Sequence, residues 1–224
     1  MTPKIPLALF DLDHTLLPID SDYSWGTFTT TIGWTDPLEF ARRNDEFYAH
    51  YQSGTLDVHD YVRFATEAAR RQGPAAAMAA RDRFLSEVIV PVIQPQELEL
   101  VRSHQRAGEE VLIVTATNEF VTRPIAELFG VQHLIAVELE RDAQGWITGE
   151  ILGTPSFREG KVQRFGQWLA QRGLTREETT VTFYSDSIND LPLMDNADHP
   201  VATNPDDRLR AVAQTRGWRV LDLF

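Results

Sequence analysis

Three short apolar runs set the pattern of this 224-residue chain, and each one ends in side chains that can do chemistry. Residues 5–10 (IPLALF) run into Asp11 and Asp13, residues 111–114 (VLIV) into Thr115, and residues 180–184 (TVTFY) into Ser185 and Asp186. A continuous apolar run of this length, bounded by polar residues, reads as a strand buried on both faces. Helical pattern fills the intervals. Strands alternating with helices build an α/β fold, a mostly parallel sheet with helices on both faces. In such a sheet ligands bind beyond the carboxyl ends of the strands. Polar groups scattered at random would not fall on that edge three times, so the edge is the expected site.

Between residues 22 and 90 the texture changes. Aromatic residues recur at three- and four-residue spacing, as in Phe40, Phe47, Tyr48 and Tyr51. Asp36 with Pro37, Asp57, and Gly73 with Pro74 supply helix starts and stops. The pattern predicts four helices and no strand. Trp25 and Phe28, three apart on the first of them, read as core. Pro91 and Pro95 mark the return to alternation. Helices are expected at 96–107, 119–129 and 159–172, closed by Gly108, Gly130 and Gly173. A strand is expected at 134–137, and a hairpin at 138–152 turning on Gln144 and Gly145. The expected division is a core of residues 1–17 and 91–224, with residues 18–90 as an all-helical cap inserted after the first strand.

The chain carries 33 Asp and Glu against 21 Lys and Arg, a formal charge of −12. Such a surface repels nucleic acid and anionic membranes at long range, so neither is an expected partner. No apolar run approaches the roughly 20 residues that span a bilayer, and Asp11 and Asp13 interrupt the first apolar stretch before a signal sequence could form. A cytoplasmic location is expected. Without cysteine, disulfides and thiolate chemistry are excluded. The six histidines show no metal-binding spacing, so a metal would be held by oxygen.

Asp11-Leu12-Asp13-His14-Thr15 places two carboxyl groups on one face if the chain stays extended. A strand followed by an Asp-rich turn would look the same. A calcium loop is disfavoured, since Leu16 stands where such a loop needs glycine. Downstream, Tyr184-Ser185-Asp186-Ser187-Ile188-Asn189-Asp190 holds a second acidic pair. Helix capping accounts for one of those acids, not for both and Asn189. Lys161, at the start of a helix, reads alone as a solvated surface group.

Taken together and in order, FDLDHTL, IVTAT, the Gly160-Lys161 helix start and YSDSINDLPLM resemble the four motifs of the haloacid dehalogenase superfamily. The similarity is greatest to its subfamily IB, which includes phosphoserine phosphatase and carries a helical cap between the first two motifs. The resemblance implies a Rossmann-like core and a Mg²⁺-dependent phosphatase that works through a phospho-aspartate. It assigns Asp11 as nucleophile and Asp13 as general acid, then base. Thr115 would bind the phosphoryl group, and Lys161 would pair with nucleophile and phosphate. The metal would be held by Asp11, the backbone carbonyl of Asp13 and Asp186, with Asp190 behind them and Asn189 positioning substrate. All of these lie in the core and none in the cap. Charge is consistent with this: Asp11, Asp186, Asp190 and a phosphate dianion total about −5, which a dication and Lys161 offset by about +3.

Two departures bear on substrate. Thr115-Ala116-Thr117 stands where phosphoserine phosphatases usually have Ser-Gly-Gly, so the pocket floor differs. Asp20 occupies the place of a cap glutamate that binds the substrate amino group, with Asp22 as a close competitor and a plain helix N-cap as the bland alternative. The expected substrate is a small phosphorylated metabolite bearing an amine, such as phosphoserine or histidinol phosphate. A phosphotransferase or mutase using the same intermediate, and a receiver-type signalling protein, are the competing classes.

Overall fold

The computed structural model describes residues 3–53 and 55–224. In chain order the strands are β1 (Ile5–Phe10), β2 (Glu110–Asn118), β3 (His133–Val137), β4 (Leu139–Arg141), β5 (Ile147–Ile151), β6 (Thr179–Ser185), β7 (His199–Thr203) and β8 (Arg219–Leu221). Six of them form one sheet in the order β3-β2-β1-β6-β7-β8, every pairing parallel. The other two, β4 and β5, form the expected antiparallel hairpin.

Four helices follow β1: α1 (Ser21–Thr31), α2 (Pro37–Ser53), α3 (Val58–Gln72) and α4 (Pro74–Phe84). A π-helical turn (Leu85–Ile89) and a 3-10 turn (Val90–Val92) lead to α5 (Pro95–Arg106). The remaining helices are α6 (Glu119–Leu128), α7 (Glu159–Gln171), α8 (Leu191–Asn196) and α9 (Asp207–Arg216). The helix breaks fall where local chemistry demands them. Asp57 caps α3 by accepting from the His59 and Asp60 amides, at 2.9 and 3.2 Å. Gly73 takes φ +79°, a left-handed region open to glycine, and Pro74 then starts α4.

Both faces of the sheet are covered. From β1, Leu7 and Leu9 join one core with Phe165, Trp168 and Leu169 of α7, Leu193 and Met194 of α8, and Leu209 and Ala213 of α9. Ala8 and Phe10 point the other way, into a core shared with α5, α6 and the inserted helices. Period-two alternation with apolar residues on both faces is what makes the run continuous. Trp25 and Phe28 are buried in this second core, with Trp25 edge-on to Phe84 and Phe120. The inserted helices also touch the hairpin. Arg63 pairs with Glu150 at 2.9 Å, and the Arg70 side chain lies over Gly149, where a Cβ would meet its Nε at 2.6 Å.

One boundary differs from expectation. Strand β2 does not end before Thr115 but continues to Asn118, and its register with β3 shifts between Val114 and Asn118. The apolar run stops at Val114 because the last part of the strand lines a polar crevice, while β-branched Thr115 and Thr117 still fit a pleated backbone. Likewise, a 3-10 turn (Ile188–Asp190) intervenes between β6 and α8. Among the described residues no helix is long and apolar enough to cross a membrane.

Gly160 has no spare room. A Cβ there would lie 2.0 Å from the Pro155 carbonyl oxygen, a backbone atom that cannot swing aside. Gly160→Ala should therefore cost about 1–3 kcal/mol. For a chain of this size that lowers Tm by on the order of 5 °C. Thermal unfolding measures it; an unchanged Tm would mean the Pro155 turn yields freely.

Candidate active site

Strands β1 and β6 lie side by side, with Phe10 opposite Tyr184, and the Asp11 amide donates to the Tyr184 carbonyl at 2.9 Å. The chain leaves β1 toward β2 and β3 on one side and returns to β6 on the other. A crevice opens where the strand order reverses, at the carboxyl ends. Asp11 and Asp186 meet there.

Lys161 comes from the first turn of α7 and is only 2% exposed. Its Nζ donates to Asp11 Oδ1 at 2.8 Å and to Asp190 Oδ2 at 2.6 Å. It is therefore not the solvated lysine that the residue would be in isolation. Burial alone would push its pKa down, but the charges and hydrogen bonds of Asp11 and Asp190 outweigh burial and raise it. Asp190 also accepts from Ser185 Oγ at 2.7 Å. Burial, together with Asp11, still lifts its carboxyl to about 6 against the pull of Lys161. Asp186 accepts from Thr15 Oγ1 at 3.2 Å, and burial plus the charges of Asp11 and Asp190 push it well above the ordinary carboxylate range. Two acids thus share one ammonium, and a third, Asp186, stands close by without a bond to it.

Asp13 is held on both oxygens, Oδ1 by the Ser21 amide at 2.7 Å and Oδ2 by Thr117 Oγ1 at 2.9 Å. Burial, then the neighbouring charges of Asp20 and Asp11, raise its pKa well above the usual value despite the Ser21 bond. A carboxyl whose pKa burial raises is suited to giving up and retaking a proton. Flanking these groups, His14 and Arg158 hold positive φ of 56° and 52°, strain that a non-glycine residue adopts only where its surroundings enforce it.

Thr115 is buried; its hydroxyl accepts from the Thr117 amide at 3.1 Å. The Asn189 side-chain oxygen receives Nε and a terminal nitrogen of Arg158, at 3.2 and 3.0 Å. Asp20 does cap α1, accepting from the Tyr23 amide at 2.8 Å, while its charge also acts on Asp13 and Asp22. Asp22 is more deeply buried, accepts from Asn118 Nδ2 at 3.1 Å, and lies in hydrogen-bonding contact with Tyr61. Burial and Asp20 raise it to about 7.

Besides Asp20, the inserted helices bring further side chains to this region. Ser21 and Asp22 of α1, Tyr51 of α2 and Tyr61 of α3 all reach it. A tyrosine at helical spacing looks like core from sequence, and only the fold reveals which ones turn inward. Asn118 carries no sequence signal of its own, since the apolar run stops at Val114 while the strand continues to Asn118. A cavity of about 250 Å³ among the inserted helices has Asp22, Trp34, Phe40, Tyr61 and Phe64 in its wall, and Asp11, Asp13, Lys161 and Asp186 do not line it.

Among the described residues no three acidic, histidine or cysteine side chains form a ready-made metal cage. The donor set nonetheless fits Mg²⁺, which prefers one or two carboxylates completed by waters and substrate phosphate. Asp186 is the telling residue: it is nearly buried beside two other acids, and Lys161 donates to both of those but not to it.

A family model described as haloacid dehalogenase-like hydrolase matches residues 8–195. A histidinol-phosphatase from Neisseria meningitidis serogroup C (strain 8013) is 42% identical over 217 residues, covering 96% of this chain and 98% of the relative. A crystal structure of a protein of unknown function from Bordetella pertussis Tohama I superposes with a TM-score of 0.93 at 48% identity, over 99% of this chain and all of that one. A substrate-bound phosphoserine phosphatase superposes with a TM-score of 0.64 at 16% identity, over 99% of this chain and 93% of that one, a likeness of fold.

Asp22 makes stability depend on pH in a definite direction. Its folded-state value of about 7 lies above the roughly 3.9 of an unfolded chain, so the native state holds a proton that the unfolded state releases. Stability from this group is full below the unfolded value and is lost as pH rises toward 7. Asp22→Asn should remove that slope, so the variant gains on wild type between pH 4.5 and pH 8 in chelator-treated urea titrations. A constant difference across that range would mean Asp22 titrates as a solvated acid.

Proposed function

This chain belongs to the haloacid dehalogenase-like hydrolase family, and from that premise we propose that it is a Mg²⁺-dependent phosphatase that cleaves a small, amine-bearing phosphomonoester through a phospho-aspartate at Asp11. The observation that carries the reading is the buried Lys161 ammonium bridging Asp11 and Asp190, with Asp13, whose pKa burial raises, beside them.

Asp11 attacks phosphorus, and the bond from phosphorus to the alcohol oxygen breaks as Asp13 delivers its proton to that oxygen. Asp13, now a carboxylate, takes a proton from water, whose oxygen attacks the acyl phosphate and frees Asp11. Lys161 and the Thr115 hydroxyl stabilise charge on the phosphoryl oxygens. Mg²⁺ bound by Asp11, Asp186 and the Asp13 carbonyl, with Asp190 behind, would supply Lewis-acid stabilisation of the same charge. Residues 18–90 act as a cap over this centre, which selects substrate and excludes water.

The cap side of the site favours a cation without a carboxylate. Asp20 and Asp22 stand near Asp13, while the arginines of α2 and α3 are engaged elsewhere: Arg43 with Glu67, Arg63 with Glu150, and Arg71 with the Trp34 carbonyl. An amino alcohol phosphate such as histidinol phosphate fits this better than phosphoserine, and the Neisseria relative bears a matching name.

The purified protein with Mg²⁺ should release phosphate from histidinol phosphate without an added acceptor, with a higher kcat/KM than on phosphoserine. Chelation and Asp11→Asn should each abolish turnover, while circular dichroism shows the variant folded. Activity that survives either treatment, or a phosphoryl group that leaves only to a second alcohol, refutes the reading. Asp13→Asn should lower kcat on an alkyl phosphate by about 10²–10⁴-fold, and less on an aryl phosphate, whose leaving group needs no proton. Equal losses on both would make Asp13 structural.

A further inference from the structure

Tyr51 stands in the last turn of α2, and its hydroxyl hydrogen-bonds Ser187 Oγ at 3.0 Å, a contact between residues 136 positions apart. The same phenol bonds Asn189. Its ring lies against Phe157, 6.1 Å between centroids, and Phe157 in turn carries the Arg158 guanidinium 5.1 Å from its centroid. Ring and hydroxyl thus land on two different core segments, the one before α7 and the one after β6. These segments deliver Lys161 and the Asp186–Asp190 loop.

We propose that Tyr51 is a positioning residue for the reaction: its hydroxyl, seated on Ser187, fixes the loop that carries Asp186, Asn189 and Asp190, and through that loop the placing of Lys161 and Asp11. The inference rests on the phosphatase reading above.

A hydrogen-bond chain runs the whole distance. Ser187 Oγ, which meets the phenol, also accepts from the Asn189 amide at 3.2 Å. The Ser187 amide donates to Ser185 Oγ at 3.2 Å, and Ser185 Oγ donates to Asp190 Oδ2 at 2.7 Å. Asp190 holds Lys161 at 2.6 Å, and Lys161 holds Asp11 at 2.8 Å. Removal of the phenol hydroxyl leaves Ser187 and Asn189 short of a partner in a partly buried crevice, and polar groups left so relax toward other partners. Burial, with the charges of Asp190 and Asp186, lifts the phenol to about 12, so it remains a neutral hydroxyl at any physiological pH. The contact joins α2 to the core, so it exists only while the inserted helices are seated. The order of the loop therefore depends on the seating of α2.

Tyr51→Phe keeps the ring on Phe157 and deletes only the hydroxyl. Because Asp11, Lys161 and Asp190 serve every substrate, kcat should fall about tenfold on histidinol phosphate and on an aryl phosphate alike, with KM little changed. Ser187→Ala should cost a similar factor, and the double variant should be no slower than the worse single. Hydrogen exchange at the amides of residues 187–190 should quicken in Tyr51→Phe, a readout that needs no turnover, and thermal unfolding verifies that each variant is folded. Unchanged kcat, losses that multiply in the double variant, a loss confined to the amine-bearing substrate, or unchanged exchange would each overturn the inference. A wild type that releases no phosphate overturns the phosphatase reading instead, and exchange at residues 187–190 still decides whether Tyr51 orders the loop.

Discussion

One ammonium holds the centre of this protein together. Lys161 is almost completely buried, and it is shared by Asp11 and Asp190, with Asp186 close by. Three acids around one cation are unstable in a dry crevice unless a further positive charge joins them, because desolvation exceeds what a single ion pair returns. The same imbalance is what the proposed Mg²⁺ would offset. Everything else serves this arrangement: β1 and β6 set Asp11 beside the Asp186 loop, α7 brings Lys161 in from below, and Gly160 lets that helix approach the Pro155 turn.

Much of the design was legible in the residues. The run IPLALF declared β1 because a strand buried on both faces has no polar interruption, and Asp57, Gly73 and Pro74 declared helix ends by their own side-chain and backbone chemistry. The four motifs were legible because each is local in sequence and falls at the end of an element. Partners chosen by tertiary packing were not legible. Thr117 reaches Asp13 across 104 residues, and Asn118 reaches Asp22 across 96. Nothing in the apolar pattern marks either contact, since the strand's last residues are polar for the sake of the crevice. Lys161 shows the limit most clearly: alone it reads as surface, and only the order of motifs or the fold reveals it as the most deeply committed cation in the chain.

The inserted helices are more than a cover. They bring Ser21 to the Asp13 carboxylate, Asp22 to Asn118 and Tyr51 to Ser187, so three separate strings of hydrogen bonds cross from insert to core. Order in these polar groups thereby depends on how the inserted helices pack against the core. The positive φ of His14 and of Arg158, one on each side of the crevice, is compatible with that division: strained backbone persists where surrounding contacts over-determine it.

The position of β1 in the middle of the sheet has a consequence for how the molecule assembles. Its two neighbours are β2 and β6, and the Asp11–Lys161 contact closes a separation of 150 residues. The central strand precedes both of its partners in the chain, so its ladders must wait until distant segments exist to pair with it. Such high contact order slows folding, because loop-closure entropy is lost before the long-range pairings can offset it. The inserted helices, by contrast, are built mainly from neighbours in sequence and can collapse early. The crevice is thus among the last features to form, and a nascent chain carries Asp11 unpaired until Lys161, 150 residues on, has been made.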